Sequence, residues 1–483
     1  MSRPARLVGV GTVAFAAGLG ALAVLQHRAF WSGRFDVGNL AQAVWSTAHG
    51  DVLSVTGLTG LQISRLAAHF DPIVVAYAPL WWLWPDASLL LVSQAVAVAT
   101  GAAPVYLLGR RHLGSDWAAA GFALAYLLHP ATQWLVLDDF HPVALATPLL
   151  LWGFWFLDGD RLVAFAAVAV AACLTKEQIG LVVAAMGLWY ALRPGRRLAG
   201  LAIAAVGTTV SLLAVAVVVP HFAPGGGSPF EGRYSAVGGS PAGIVETAFT
   251  DPGAIVTAAT TGRDGAYLLD LLLPLLGLPL LAPLAALTAA PELLLNLLSD
   301  TRTQTSIHFH YTAGALPGLF VAAVLGAARL RRRFAWAARP EGRAVVVSTL
   351  VAGILLGPLP AWRFVPFGSE LGTREHVVTG RAEAAARAVR LIPPDAAVSA
   401  TNTLGAHLSE RRRIFSFPVL GEAEWVAVDR FRGSYRDDNI APQRFAQALA
   451  RLQASGRFEV VFEEDNILVL RLREESSGAG DTP

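Results

Sequence analysis

A few ionisable side chains in an otherwise apolar sequence have the types and spacing to do chemistry. Asp138–Asp139–Phe140–His141–Pro142 puts two carboxylates and an imidazole at the mouth between two apolar stretches. A charge buried there costs several kcal/mol unless it is paired, so the cluster reads as functional. Asp139 and His141 are the expected ligands of a divalent metal such as Mg²⁺ or Mn²⁺. A capping role ahead of Pro142 is the structural alternative. Thr175–Lys176–Glu177–Gln178 lies between two further apolar segments. Lys176 is the single lysine among 37 basic residues, all the others being arginine. A lone lysine kept in this setting points to a site needing a compact ammonium rather than a planar fork, either to hold a phosphate or to pair with a carboxylate. A Lys–Glu pair satisfying itself at a helix end is the alternative.

Asp36 opens a stretch in which Asp36, Asn39, Gln42, Ser46 and His49 share one helical arc and Val37, Leu40, Val44, Trp45 and Ala48 the other. That pattern predicts a helix lying in the membrane interface, apolar face down. Asp36 is either its cap or a functional carboxylate, and the two roles are compatible. In His69–Phe70–Asp71–Pro72, Asp before Pro is a common way to open a helix. His69 has no such structural excuse. His308 and His310 alternate along a late polar segment, too few alone to argue for zinc. The glycine-rich residues 223–239 follow no strand and carry no nucleotide-binding fingerprint.

These residues must be held by membrane-spanning helices. The chain has 483 residues, 54% hydrophobic and 15% charged, with a mean hydropathy of +0.51. Several windows run for roughly 18 or more residues with almost no charge, as a bilayer-crossing helix requires. The net charge of +2 gives no case for a nucleic-acid partner. The one cysteine, Cys173, excludes an internal disulfide and cysteine metal clusters. The first apolar stretch, residues 7–26, lacks a convincing cleavage site and reads as a retained span.

Arginines recur at alternate turns: Arg3/Arg6, Arg110–Arg111, Arg161, Arg193/Arg196/Arg197 and Arg329/Arg331–Arg333. The positive-inside rule puts these in the cytoplasm. It predicts about eleven spans over residues 1–365, with the N-terminus inside and residues 36–84 as surface helices on the outer face. The carboxylates and imidazoles then gather on that face. Residues 380–473 change composition and predict a small extracytoplasmic α/β domain: a helix at 381–392, strands at 397–400 and 426–429, a helix at 442–455 and a hairpin of 458–463 with 467–472. Residues 474–483 read as a disordered tail. The predicted fold class is therefore an all-α polytopic membrane protein with a small C-terminal α/β domain.

Phe35–Asp36–Val37–Gly38 with Gln42 and Trp45, His69–Phe70–Asp71–Pro72, Asp139–Phe140–His141–Pro142, Leu174–Thr175–Lys176–Glu177 and Tyr311 together resemble a family. It is the prokaryotic predicted-membrane-protein domain of unknown function numbered two thousand and seventy-nine. Members usually have a small residue in place of Asp71. The family's layout is similar to that of the GT-C membrane glycosyltransferases, which transfer sugars from polyprenyl-phosphate carriers to acceptors on the outer face. That resemblance implies a prokaryotic cytoplasmic-membrane enzyme with membrane lipid and a polyprenyl-phosphate-linked sugar as partners. Asp36, Asp139 and Lys176 would be catalytic, with Gln42, His69, Glu177 and Tyr311 lining the substrate site. A transporter or flippase using the same charges is the alternative, although no internal repeat is visible and the ionisable residues lie at helix ends rather than mid-membrane. A scaffold displaying the C-terminal domain would not explain why acids converge on one face.

Overall fold

The computed structural model describes residues 2–225, 231–334, 341–372, 374–433 and 441–473. The tail predicted for residues 474–483 lies outside them. Contacts divide the chain into two units. The first comprises Met1–Val24, Arg65–Ala76 and Ser88–Arg374; the second comprises Leu25–Ser64, Tyr77–Ala87 and Glu375–Pro483.

The first unit is helical. Among the described residues three helices are long and apolar enough to cross a membrane: Arg3–Arg28, Ser88–Leu113 and Arg197–Phe222. A fourth candidate, Asp116–Leu128 with Pro130–Leu137, is bent by 43°. Its break falls at His129, whose extended backbone (φ −61°, ψ 127°) is what a residue ahead of proline adopts. Pro130 then starts the second segment, and His129 Nδ1 accepts from the Ala131 N–H as its cap. The remaining apolar helices, such as Leu162–Cys173, Ile179–Ala191 and Pro283–Leu297, have 10–17 residues, short for a bilayer of about 30 Å. Ala315–Arg333 has 19 residues, but Arg329, Arg331, Arg332 and Arg333 fill its end. The eleven spans expected from charge placement thus reduce to three or four by length and composition. Prolines and polar turns cut the other apolar stretches short.

Helices Ile179–Ala191 and Arg197–Leu213 approach backbone to backbone. A Cβ at Gly180 would stand 2.4 Å from the Gly207 carbonyl oxygen, and one at Gly200 would stand 2.5 Å from that of Gly187. Small residues a whole number of turns apart permit this closeness, a common device between apolar helices. The contact fixes the turn that precedes Ile179. Ser211 Oγ donates to the Glu177 carbonyl at 2.6 Å.

The second unit holds a hairpin of β1 (Ser54–Thr56) and β2 (Gln62–Ser64) and a five-stranded sheet. The sheet consists of β3 (Val398–Ala400), β4 (Ile414–Ser416), β5 (Trp425–Asp429), β6 (Phe458–Glu464) and β7 (Ile467–Leu472), in the order β4-β3-β5-β7-β6. β3 runs parallel to β4 and β5, while β7 is antiparallel to β5 and β6. Side chains alternate faces, as a strand's period of two requires. Ala427, Ile467 and Val469 pack with Ala382, Ala385 and Ala388 of helix Gly380–Leu391. Val426, Val428, Leu468 and Leu470 pack with Phe445, Leu449 and Leu452 of helix Pro442–Ala454. Those two helices, β3, β5 and the β6–β7 hairpin fall where sequence patterning put them. β4 is additional: its three residues are too few to show a period.

The stretch after Gly33 differs from expectation. A π-helical turn, Arg34–Gly38, leads into helix Asn39–Ala48, and both of its arcs carry buried residues within the second unit. Gln42 Nε2 donates to Thr56 Oγ1 and to the Arg411 carbonyl, both at 3.1 Å, and its Oε1 accepts from the Thr56 N–H at 2.9 Å. Gln42 and Ser46 of the polar arc therefore face protein rather than water, while His49 at its end is exposed. The amphipathic pattern was satisfied by strand partners that are remote in sequence.

Candidate functional site

Four segments of the first unit bring ionisable groups together: the short stretch Arg65–Ala76, the turn at Asp138–His141, the turn at Thr175–Gln178 and the run leading into helix Ala315–Arg333. Each is a break between helices, where backbone and side chains are released from the helical ladder. The first and third are tied directly, the Ile73 N–H donating to the Leu174 carbonyl at 3.1 Å.

Glu177 joins them again through its side chain. Its Oε1 lies 3.0 Å from His69 Nδ1, and its Oε2 accepts from the Phe70 N–H at 3.0 Å. Burial works against ionising this carboxyl, but His69, the hydrogen bond to it and then Lys176 more than reverse that and hold it at about 2. Burial lowers the His69 pKa, with Glu177 opposing. Glu177 stays ionised even opposite a neutral ring, because the Phe70 N–H and Lys176 still favour its charge. Asp71 is buried and paired with Arg65, whose Nη2 and Nε lie 2.8 and 3.0 Å from Oδ2.

Lys176 is half-buried beside this pair. Its Nζ is 3.5 Å from His310 Nε2 and sits over the Tyr311 ring, 5.4 Å from the centroid. Burial lowers its pKa, while the nearby Glu177 and Glu292 raise it. Tyr311 is held at both ends. Its carbonyl accepts from Asn296 Nδ2 at 2.7 Å, and its hydroxyl accepts from Arg233 Nη1 at 3.4 Å. An ammonium placed over an aromatic face between carboxylates is a ready counterion for a phosphate.

Asp138 closes the group. Its Oδ2 accepts from the His310 N–H at 2.9 Å and lies 3.0 Å from His310 Nδ1. The His141 Nδ1 is 4.0 Å from the same oxygen. The two imidazoles stack with centroids 3.6 Å apart. Burial first, then His141, Lys176 and His69, hold the His310 pKa well below its ordinary value. One ligand atom from each of Asp138, His141 and His310 lies within 4.8 Å of the others.

His69, His141, Lys176, Glu177 and Tyr311 are thus brought together as expected residues. Asp139, expected as metal ligand and catalytic acid, is replaced in that group by its neighbour. It sits in the left-handed region (φ 54°) just past the helix end, its carbonyl accepting from Gln94 Nε2 at 2.7 Å. The left-handed backbone at Asp139 is a feature that spacing alone could not show. Asp36 and Gln42 belong to the second unit. There Asp36 lies on the π-helical turn, where Asn402 Oδ1 accepts from the Arg34 N–H at 2.6 Å and the Phe35 N–H at 3.3 Å. Gln42 is committed to the strand partners described above.

Sequence reasoning missed Arg65, Arg233 and Glu292. Glu292 was detectable: it is a lone carboxylate inside an apolar, proline-cut stretch, and such residues mark function. In the structure it is buried, 3.5 Å from Gln178 Nε2. Arg65 and Arg233 carried no local pattern.

Residues 26–469 match the profile of a family described as predicted membrane protein (DUF2079). No curated protein matches in sequence. Among solved structures, the chain resembles ArnT from Cupriavidus metallidurans bound to undecaprenyl phosphate, with a TM-score of 0.51 and 15% identity over 95% of this chain and 97% of that one. The apo state of the same protein gives a TM-score of 0.55 at 15% identity, with the same coverage. The likeness is one of fold and extends over nearly the whole of both chains.

Proposed function

We propose a function for this chain from the premise that it belongs, over residues 26–469, to the DUF2079 family of predicted membrane proteins. It is a GT-C-type glycosyltransferase of the cytoplasmic membrane, transferring a sugar from a polyprenyl-phosphate carrier to an acceptor on the outer face. The observation that carries this reading is Lys176: a half-buried ammonium set among Glu177, His310 and Tyr311, in a fold that in ArnT accompanies bound undecaprenyl phosphate.

In the proposed reaction an acceptor hydroxyl oxygen attacks the anomeric carbon, and the bond from that carbon to the carrier phosphate breaks. The phosphate leaves with the bonding electron pair. Lys176 offsets the negative charge that grows on it, an electrostatic role best performed in a buried, preorganised site. The acceptor proton passes to a general base, a task that a carboxylate or an imidazole suits. The His69–Glu177 pair fixes the turn that carries Lys176, and Tyr311 supplies the face on which the ammonium rests. The N-terminus is cytoplasmic in this reading, and the residues of the site open to the outer leaflet.

The test is turnover. The protein in lipid nanodiscs is offered a panel of polyprenyl-phosphate sugars with an envelope extract as acceptor source, and free carrier phosphate is measured. Wild type should release carrier from at least one donor, and Lys176→Gln should be slower by about 10²-fold or more, the scale of a lost electrostatic contact. Equal rates, or no release from any donor by well-folded protein, would overturn the reading.

A further inference from the structure

Two imidazoles and one carboxylate converge on a volume of atomic size at Asp138, His141 and His310. They come from two turns far apart in sequence, and all three residues are largely buried. From this geometry we infer a mononuclear site for a zinc-class divalent ion, with Asp138 Oδ2, His141 Nδ1 and the His310 ring as ligands.

The spacing fits. Zinc–ligand bonds of about 2.0–2.1 Å at tetrahedral angles put neighbouring ligand atoms roughly 3.3–3.4 Å apart. The two separations from Asp138 Oδ2, 3.0 Å to His310 Nδ1 and 4.0 Å to His141 Nδ1, lie on either side of that value. The His141 and His310 rings, now stacked with centroids 3.6 Å apart, would have to swing apart by roughly 1–2 Å for both to bind one ion at tetrahedral angles. The backbone already holds the carboxylate in place, since the His310 N–H donates to the same oxygen. Donor type selects the ion. Imidazoles suit zinc and its neighbours, whereas magnesium and manganese prefer sites made of oxygen. The Mg²⁺ or Mn²⁺ expectation rested on Asp139 and His141 with oxygen-rich neighbours, and a donor set with two imidazoles favours zinc instead. Three protein ligands leave a fourth place for water or an oxygen anion, the arrangement of reactive rather than purely structural zinc sites.

The ion would also change Lys176. Bound through Nδ1, the His310 ring carries its proton on Nε2. The Lys176 ammonium, 3.5 Å from that nitrogen, then loses an acceptor and is left to the Tyr311 face and to an incoming anion. Metal occupancy and anion capture are thereby coupled.

Metal content does not depend on sugar transfer, so this inference and the transferase reading can fail separately. The full chain, tag removed, is stripped with chelator in nanodiscs and titrated with Co²⁺ as the spectroscopic stand-in for Zn²⁺, alongside metal analysis of the untreated protein. One equivalent of zinc as purified, and one equivalent of Co²⁺ with the intense visible band of four-coordination, are expected. His141→Gln and His310→Gln should each lose the band, with affinity weakened by about 100-fold or more, while Asp139→Asn retains it. If one histidine variant does not fold, the other decides. Substoichiometric binding by wild type, or an undiminished band in a folded histidine variant, would overturn the site.

Discussion

Glu410 and Glu177 show how differently two partly buried carboxylates behave. Glu177 has a ring, a backbone N–H and an ammonium to favour its charge. Glu410, in the second unit, is surrounded unfavourably: burial first and Asp86 second push its pKa from 4.5 to about 7. Its folded form therefore keeps a proton that the unfolded chain has released. Stability should fall as pH rises from about 4.5 through about 7 and then level off, because only over that interval does the folded state bind more protons than the unfolded one. Glu410→Gln should remove this fall and melt higher than wild type at pH 8. Thermal melting of both proteins between pH 5 and 8 checks it, and parallel curves would show that the group contributes nothing. For Glu177 the sign is opposite, its contribution being present above 4.5 and lost as pH drops toward about 2.

At the scale of elements, two packing features position the chemistry. The Gly180–Gly207 and Gly187–Gly200 crossings let helices Ile179–Ala191 and Arg197–Leu213 meet at backbone distance, and the Lys176 turn hangs from the start of the first. A Cβ at Gly207 would meet the Gly180 oxygen at 2.4 Å, an atom with no freedom to yield. Gly207→Val should cost about 1–3 kcal/mol, the usual penalty of overpacking, and should lower the melting temperature of the nanodisc protein. Gly195→Ala, at a loop position with open space but φ +74°, serves as the comparison and should fall less. The second feature is Asn402, whose side chain binds the first two N–H groups of the turn bearing Asp36. Asn402→Ala should lose about 1 kcal/mol, as helix caps do. Thermal melting checks it, and an unchanged melting temperature would mean that the turn holds its shape without the cap.

For the molecule as a whole, composition and arginine placement made the membrane class legible, and the family match agrees. Strand alternation gave the β6–β7 hairpin, because Ile467, Leu468, Val469 and Leu470 face the two cores in turn. The candidate site was legible where its residues were ionisable groups stranded at helix ends, as with His69, Lys176 and Glu177. It was not legible where the answer depended on direction or on distant partners. Asp138 and Asp139 are adjacent and chemically identical, and only the left-handed backbone at Asp139 separates them. Gln42 looked solvent-facing because its partners, Thr56 and the Arg411 carbonyl, belong to strands and loops that a helical wheel does not see. Charge placement counts turns and does not measure the helices between them, so it gave eleven spans where three or four among the described residues are long and apolar enough to cross.

The central claim is that Lys176 serves the phosphate of a lipid-linked sugar. The most direct measurement is a single-turnover reaction of the nanodisc protein with a labelled polyprenyl-phosphate sugar, comparing wild type with Lys176→Gln for carrier release. The account predicts that Lys176→Gln, folded and still melting cooperatively, releases carrier slower by about 10²-fold or more, the scale of a lost electrostatic contact in a buried site. Release at the wild-type rate by Lys176→Gln would contradict it.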